Sequence, residues 1–159
     1  MIQADGTVEF DSPRTSISPT TTRDDFLASP LFAISEPLNQ NPPWSCYAFK
    51  PVAARGELFT CHISFCAGAV DSLSLSAMRP EFGTSWSDVT PEKEQDMHCF
   101  HKRMLLELFG RPPDKRISRG PDERDADFGY DFSWGEVWAI TDIKSGDCEI
   151  HIRYLPLQR

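Results

Sequence analysis

Residues 128–155 read FGYDFSWGEVWAITDIKSGDCEIHIRYL. Phe128, Tyr130 and Phe132 alternate with Gly129, Asp131 and Ser133. After Trp134-Gly135 the alternation resumes, with Val137, Ala139, Thr141 and Ile143 on one side and Trp138, Ile140 and Asp142 on the other. Ser145-Gly146-Asp147 has turn chemistry, and Cys148, Ile150, Ile152 and Tyr154 then interleave with Glu149, His151 and Arg153. Successive side chains of a strand point to opposite faces, so the pattern predicts an antiparallel meander with one buried face.

Upstream, Arg111 to Asp127 is polar and contains proline, first basic (Arg111, Lys115, Arg116, Arg119) and then acidic (Asp122, Glu123, Asp125, Asp127). It reads as a loop, either mobile or used to bind a partner. Before it, Thr90 is an N-cap with Pro91 at the first helical position, and Gly110 is the C-cap ahead of Pro112-Pro113. Met97, Phe100, Met104, Leu105 and Leu108 recur at helical spacing and give one apolar stripe. Further back, Trp44–Phe49 and Leu58–Phe65 read as strands, and Leu58–Phe65 forms a hairpin with Leu73–Ala77 whose outer face is lined by serines. Thr22 caps a short helix, Arg23–Ala28, with Asp24 and Asp25 in its first turn. Thr7–Phe10 reads as a short strand, and residues 12–22 and 37–43 as loops.

These elements predict a single α+β domain spanning residues 1–159. One antiparallel sheet of about six strands, made of two hairpin-like units, carries the main helix on one face and the short N-terminal helix at an edge or end. A strongly curved sheet wrapping the same helix is the alternative architecture. The 159 residues, 40% hydrophobic and 25% charged, are enough for a substantial core. The net charge of -8 repels phosphate, so neither nucleic acid nor an anionic membrane is expected as a ligand, whereas a basic protein is compatible. Residues 1–11 lack the features of a signal peptide, and no stretch approaches a membrane helix, so a cytoplasmic protein is expected. The cysteine count of five disfavours a disulfide framework and fits buried free thiols.

No catalytic spacing stands out. His98 and His101 lie one turn apart on the main helix, but His101 falls in the middle of the apolar stripe while Cys99 points nearly the opposite way, so the three do not converge. Cys61 and His62 are adjacent on a strand and face opposite sides, as do Cys148 and His151, so neither pair forms a nucleophile and base. No cofactor and no metal are expected. The distinctive stretch is Glu81 to Asp96, where Glu81, Asp88, Glu92, Glu94 and Asp96 oppose only Lys93, five negative charges against one positive, a net of -4. Phe82 and Trp86 sit in its loop portion. Carboxylates beside an aromatic anchor suit recognition of a basic protein, so Glu81, Trp86, Asp88, Glu92 and Asp96 are the candidate partner-binding residues.

Three segments carry a family resemblance: Thr22-Arg23-Asp24-Asp25-Phe26-Leu27-Ala28-Ser29, the Trp86 loop that leads into the helix, and Trp134-Gly135-Glu136-Val137-Trp138 through Asp142-Ile143-Lys144 to Ile150-His151-Ile152-Arg153-Tyr154. In these the chain resembles small acidic bacterial α+β proteins of the immunity type, which accompany toxins. The resemblance implies a non-enzymatic inhibitor that binds a cognate toxin domain, with no catalytic residue. Two other functions stay open: a small-molecule-binding protein or hydrolase using a cavity between helix and sheet, and a structural or assembly subunit. Monomer and dimer are not distinguished.

Overall fold

The computed structural model describes residues 1–83, 88–118, 120, 126–141 and 148–155. Strands make up about half of it, and it has a single long helix. In chain order the strands are β1 (Val8–Asp11), β2 (Arg14–Ile17), β3 (Ser35–Asn39), β4 (Trp44–Ala54), β5 (Glu57–Cys66), β6 (Ala69–Ala77), β7 (Lys115–Ile117), β8 (Asp127–Phe132), β9 (Gly135–Thr141) and β10 (Cys148–Tyr154). Helix α1 (Arg23–Leu27) precedes β3, and helix α2 (Pro91–Phe109) joins β6 to β7.

Eight strands form one antiparallel sheet in the order β3-β4-β5-β6-β10-β9-β8-β7, and β1-β2 form a separate hairpin. Two four-stranded meanders, β3–β6 and β7–β10, therefore meet along the β6/β10 seam. There Ile150 pairs with Leu75, and Ile152 with Leu73. Between Phe49 and Val52 the β4 register shifts by a bulge, which keeps Val52 and Ala54 on the buried side after Phe49.

The expected α+β sheet of about six strands with one helix on one face is thus corrected to a mostly β architecture. The two strands missing from that expectation are β3 and β7, the edges of the sheet. β3 contains Pro37 and overlaps the loop signal of residues 37–43, while β7 lies in the polar segment 111–127. An edge strand needs a ladder on one side only, so it tolerates proline and shows no apolar alternation. The turn at 145–147 lies outside the described residues.

Eight strands at about 4.8 Å spacing span roughly 34 Å, whereas a helix with its side chains is about 10–12 Å across. One helix therefore cannot cover the sheet. α2 lies against β9 and β10. The other half of the same face is covered by the N-terminal segment. Phe26 of α1 is fully buried, with ring centroids 5.1 Å from Tyr47 and 5.5 Å from Phe65, and Phe10 of β1 lies 6.1 Å from Phe49. Burial of each such ring contributes about 1.5–3 kcal/mol before entropy is counted. Both helix caps are as the sequence implies. Thr22 and Asp25 form a reciprocal capping box, the Thr90 hydroxyl accepts from the Lys93 N–H, and Gly110 closes α2 at φ 62°.

The chain's N-terminal residues are tied down by the second meander. The Trp134 indole N–H donates to the Ala4 carbonyl at 2.9 Å, and the Tyr154 hydroxyl donates to the Gly6 carbonyl at 3.2 Å. No described helix is long and apolar enough to cross a membrane.

Candidate functional site

After Ala77 the chain leaves β6, makes a short 3-10 turn at Pro80–Phe82, and re-enters regular structure at the Thr90 cap of α2. Between the end of β6 and the start of α2 lies a cleft of about 370 Å³. Met78, Phe82, Val89 and Met97 give it an apolar lining. Phe82 is buried against Phe100, with ring centroids 5.6 Å apart. Arg79 also lines the cleft, with its guanidinium 4.6 Å from the centre of the Phe100 ring and held between Glu57 at 3.0 Å and Glu81 at 2.8 Å.

Glu81 and Asp88 stand beside lining residues of this cleft and are exposed. Glu92 and Asp96 are exposed as well, but at about 100° per residue they lie round the helix from Met97, on the solvent side. The structure therefore places two of the expected residues at the cleft rim and two on the adjoining helix surface. Trp86, the expected aromatic anchor, lies outside the described residues. Lys93, the cation within this stretch, donates to the Asp88 carbonyl at 2.8 Å. Backbone N–H donation at Glu92 itself and a hydrogen bond with the Thr90 hydroxyl hold the Glu92 carboxyl below the usual carboxylate range, so it is charged at neutral pH.

A second polar cluster lies buried between α2 and the sheet. His98 Nε2 is 3.3 Å from the Ala139 carbonyl and 3.4 Å from Asp127 Oδ1. Asp127 Oδ1 also accepts from the Thr141 N–H at 3.2 Å, and Lys102 Nζ donates to the Ala126 carbonyl at 3.2 Å. His101 is fully buried, and its Nε2 accepts from the Ala77 N–H at 3.2 Å. Burial, reinforced by His98, pushes His101 down to about 3, so it is neutral. Asp127, grouped in the sequence with an acidic loop, is instead completely enclosed at the start of β8. Helical spacing placed His101 inside, but nothing in the sequence linked His98 to an acid 29 positions later.

The opposite face of the sheet has no described element over it. Strand pairing lines up Glu36, Ala48, His62, Ser74, His151, Trp138, Gly129 and Lys115 in one row across the eight strands. Cys61 is buried while His62 on this face is exposed, and Cys148 is buried while His151 lies outward, so both Cys/His pairs are split between faces as alternation implies. All five cysteines are free thiols. Among the described residues no group of three or more His, Cys, Asp or Glu side chains converges as a metal cage. The row itself escaped sequence reading, because the pairing of β10 with β6 across an intervening helix leaves no local signal.

No family model, curated protein or solved structure matches the chain.

Proposed function

We propose that the chain is a protein-binding module of the immunity type, which neutralises a basic toxin domain by docking against it. The observation that carries this reading is the conjunction at the β6–α2 junction. Exposed Glu81 and Asp88 stand beside an apolar cleft lined by Met78, Phe82, Val89 and Met97, with Glu92 and Asp96 extending the acidic surface along α2. An apolar lining with carboxylates beside it fits a partner that inserts an apolar side chain next to cationic ones. The cleft supplies desolvated contact, and the carboxylates steer the approach. Arg79 and Lys50 are the cations that line the cleft; Arg79 is held by Glu57 and Glu81, and nearby Lys93 by the Asp88 carbonyl, so these two oppose a basic partner less than a free cation would.

The test uses the protein encoded by the neighbouring gene, immobilised and titrated with this chain. Nanomolar binding whose association rate falls steeply between low and high salt is expected. Glu92→Lys with Asp96→Lys slows association tenfold or more, and Met97→Ala raises the dissociation rate. No binding, or association indifferent to both charge reversal and salt, overturns the reading.

A further inference from the structure

We propose that the open sheet face carries a site for a divalent transition metal of the zinc class, formed by the imidazoles of His62 and His151 above Ser74. Ser74 pairs with His62 on one side and with His151 on the other, so the two histidines stand in one row and project from one face. Two strand spacings separate their backbones by roughly 9.5 Å, and the residue between them is small, leaving room for both rings to lean inward.

Ser74 is the most enclosed of the three β6 serines on this face. It is only 8% exposed although no described element lies over this face, whereas Ser72 and Ser76, its same-face neighbours along β6, are half-buried. Its cross-strand partners on the two sides are the two histidines.

The second observation concerns orientation. His151 Nδ1 lies 3.0 Å from Glu149 Oε1, two residues away on the same face of β10. A carboxylate in that position accepts the Nδ1–H, which leaves the Nε2 lone pair of the neutral ring available. This carboxylate–histidine relay is the usual support of a metal-bound imidazole. Imidazole nitrogens select zinc, nickel or copper over magnesium and calcium, which prefer oxygen. With two protein ligands, the remaining coordination positions are filled by water or by a group from outside the chain. The site is therefore open and of modest affinity, and Thr60 and Ser76, next along the same face from His62 and Ser74, line the cleft beside α2.

Cys46 and Cys66 share this face and are only partly buried, so they compete for zinc. The experiment accordingly uses the Cys46→Ser, Cys66→Ser protein. Zinc titrated into it by calorimetry binds at one ion per chain with micromolar affinity, and magnesium does not bind. His62→Ala and His151→Ala each weaken zinc binding tenfold or more, and Glu149→Gln weakens it about tenfold through loss of the relay. Trp138 neighbours His151 in the row, so copper quenches its fluorescence, and that component of the quenching disappears in Trp138→Phe and in His151→Ala. His62→Gln and His151→Gln, checked for an unchanged circular dichroism spectrum, repeat the test if an alanine variant misfolds. Zinc binding that survives both histidine substitutions, or no binding at millimolar zinc, overturns the site.

Discussion

His101 is sealed between α2 and the sheet, and its Nε2 satisfies the Ala77 N–H while its Nδ1 meets no partner. Charging the ring in place is therefore costly, and burial holds its folded pKa near 3 against an ordinary 6.5. In the unfolded chain the same ring takes a proton below about pH 6.5. The unfolded state then binds more protons than the folded one, so stability falls as the pH drops from about 6.5 towards 3, by up to about 1.4 kcal/mol per pH unit. Urea unfolding at pH 7 and pH 4.5 is expected to show that His101→Gln, which keeps an acceptor for Ala77, loses about 2 kcal/mol less on acidification than the native chain. At the same scale, Asp127→Ala removes the acceptor of the Thr141 N–H and the acid beside His98, and is expected to cost about 3–5 kcal/mol in the same assay. Of these two residues only His101 was legible beforehand. The helical period of Met97, Phe100, Met104 and Leu105 carries it inward, while an aspartate among other acids gives no hint that it begins a buried strand.

Elements with a strong internal period are legible in the sequence, and those without one are not. Capping chemistry at Thr22, Thr90 and Gly110 fixed both helices, and alternation located β5, β6, β8, β9 and β10. The short strands β3 and β7 escaped because their residues are held by one neighbour and face water, and β2 because Ile17 is its single buried residue, so none shows an apolar alternation. The order of the strands was equally hidden, since which strand meets which depends on pairing across more than 70 residues, as between Leu73 and Ile152. Of the candidate site, the charge was legible and the cleft was not, because its walls come from β4, β5, β6, the 3-10 turn and α2 together. One element start is unusually intolerant. A Cβ added at Gly135, the first residue of β9, collides with the backbone carbonyl of Arg153 on β10. Backbone cannot give way as a flexible side chain does, so Gly135→Ala is expected to lower stability by about 2–3 kcal/mol, read as a reduced denaturant midpoint with little change in slope.

One face of the sheet is closed by two separate covers, and over the other no described element lies. The proposed docking cleft and the proposed histidine site are neighbours, since Thr60 and Ser76 line the cleft one step along the same face from His62 and Ser74. The seam between the two meanders sets a further constraint on how the chain reaches this state. β6 finds its second neighbour only in β10, the last of the described strands. Such long-range pairing slows folding, because the loop between the partners must close before the contact is rewarded. Ending the chain at residue 147 is expected to leave aggregated or unfolded material, judged by size-exclusion chromatography, since it exposes Leu73 and Leu75 along an unpaired edge. During synthesis, then, the first meander emerges with a sticky flank and stays that way until roughly 70 more residues have been made. A nascent chain of this design depends on chaperones, or on haste, to reach its final strand before its neighbours on the polysome find that flank first.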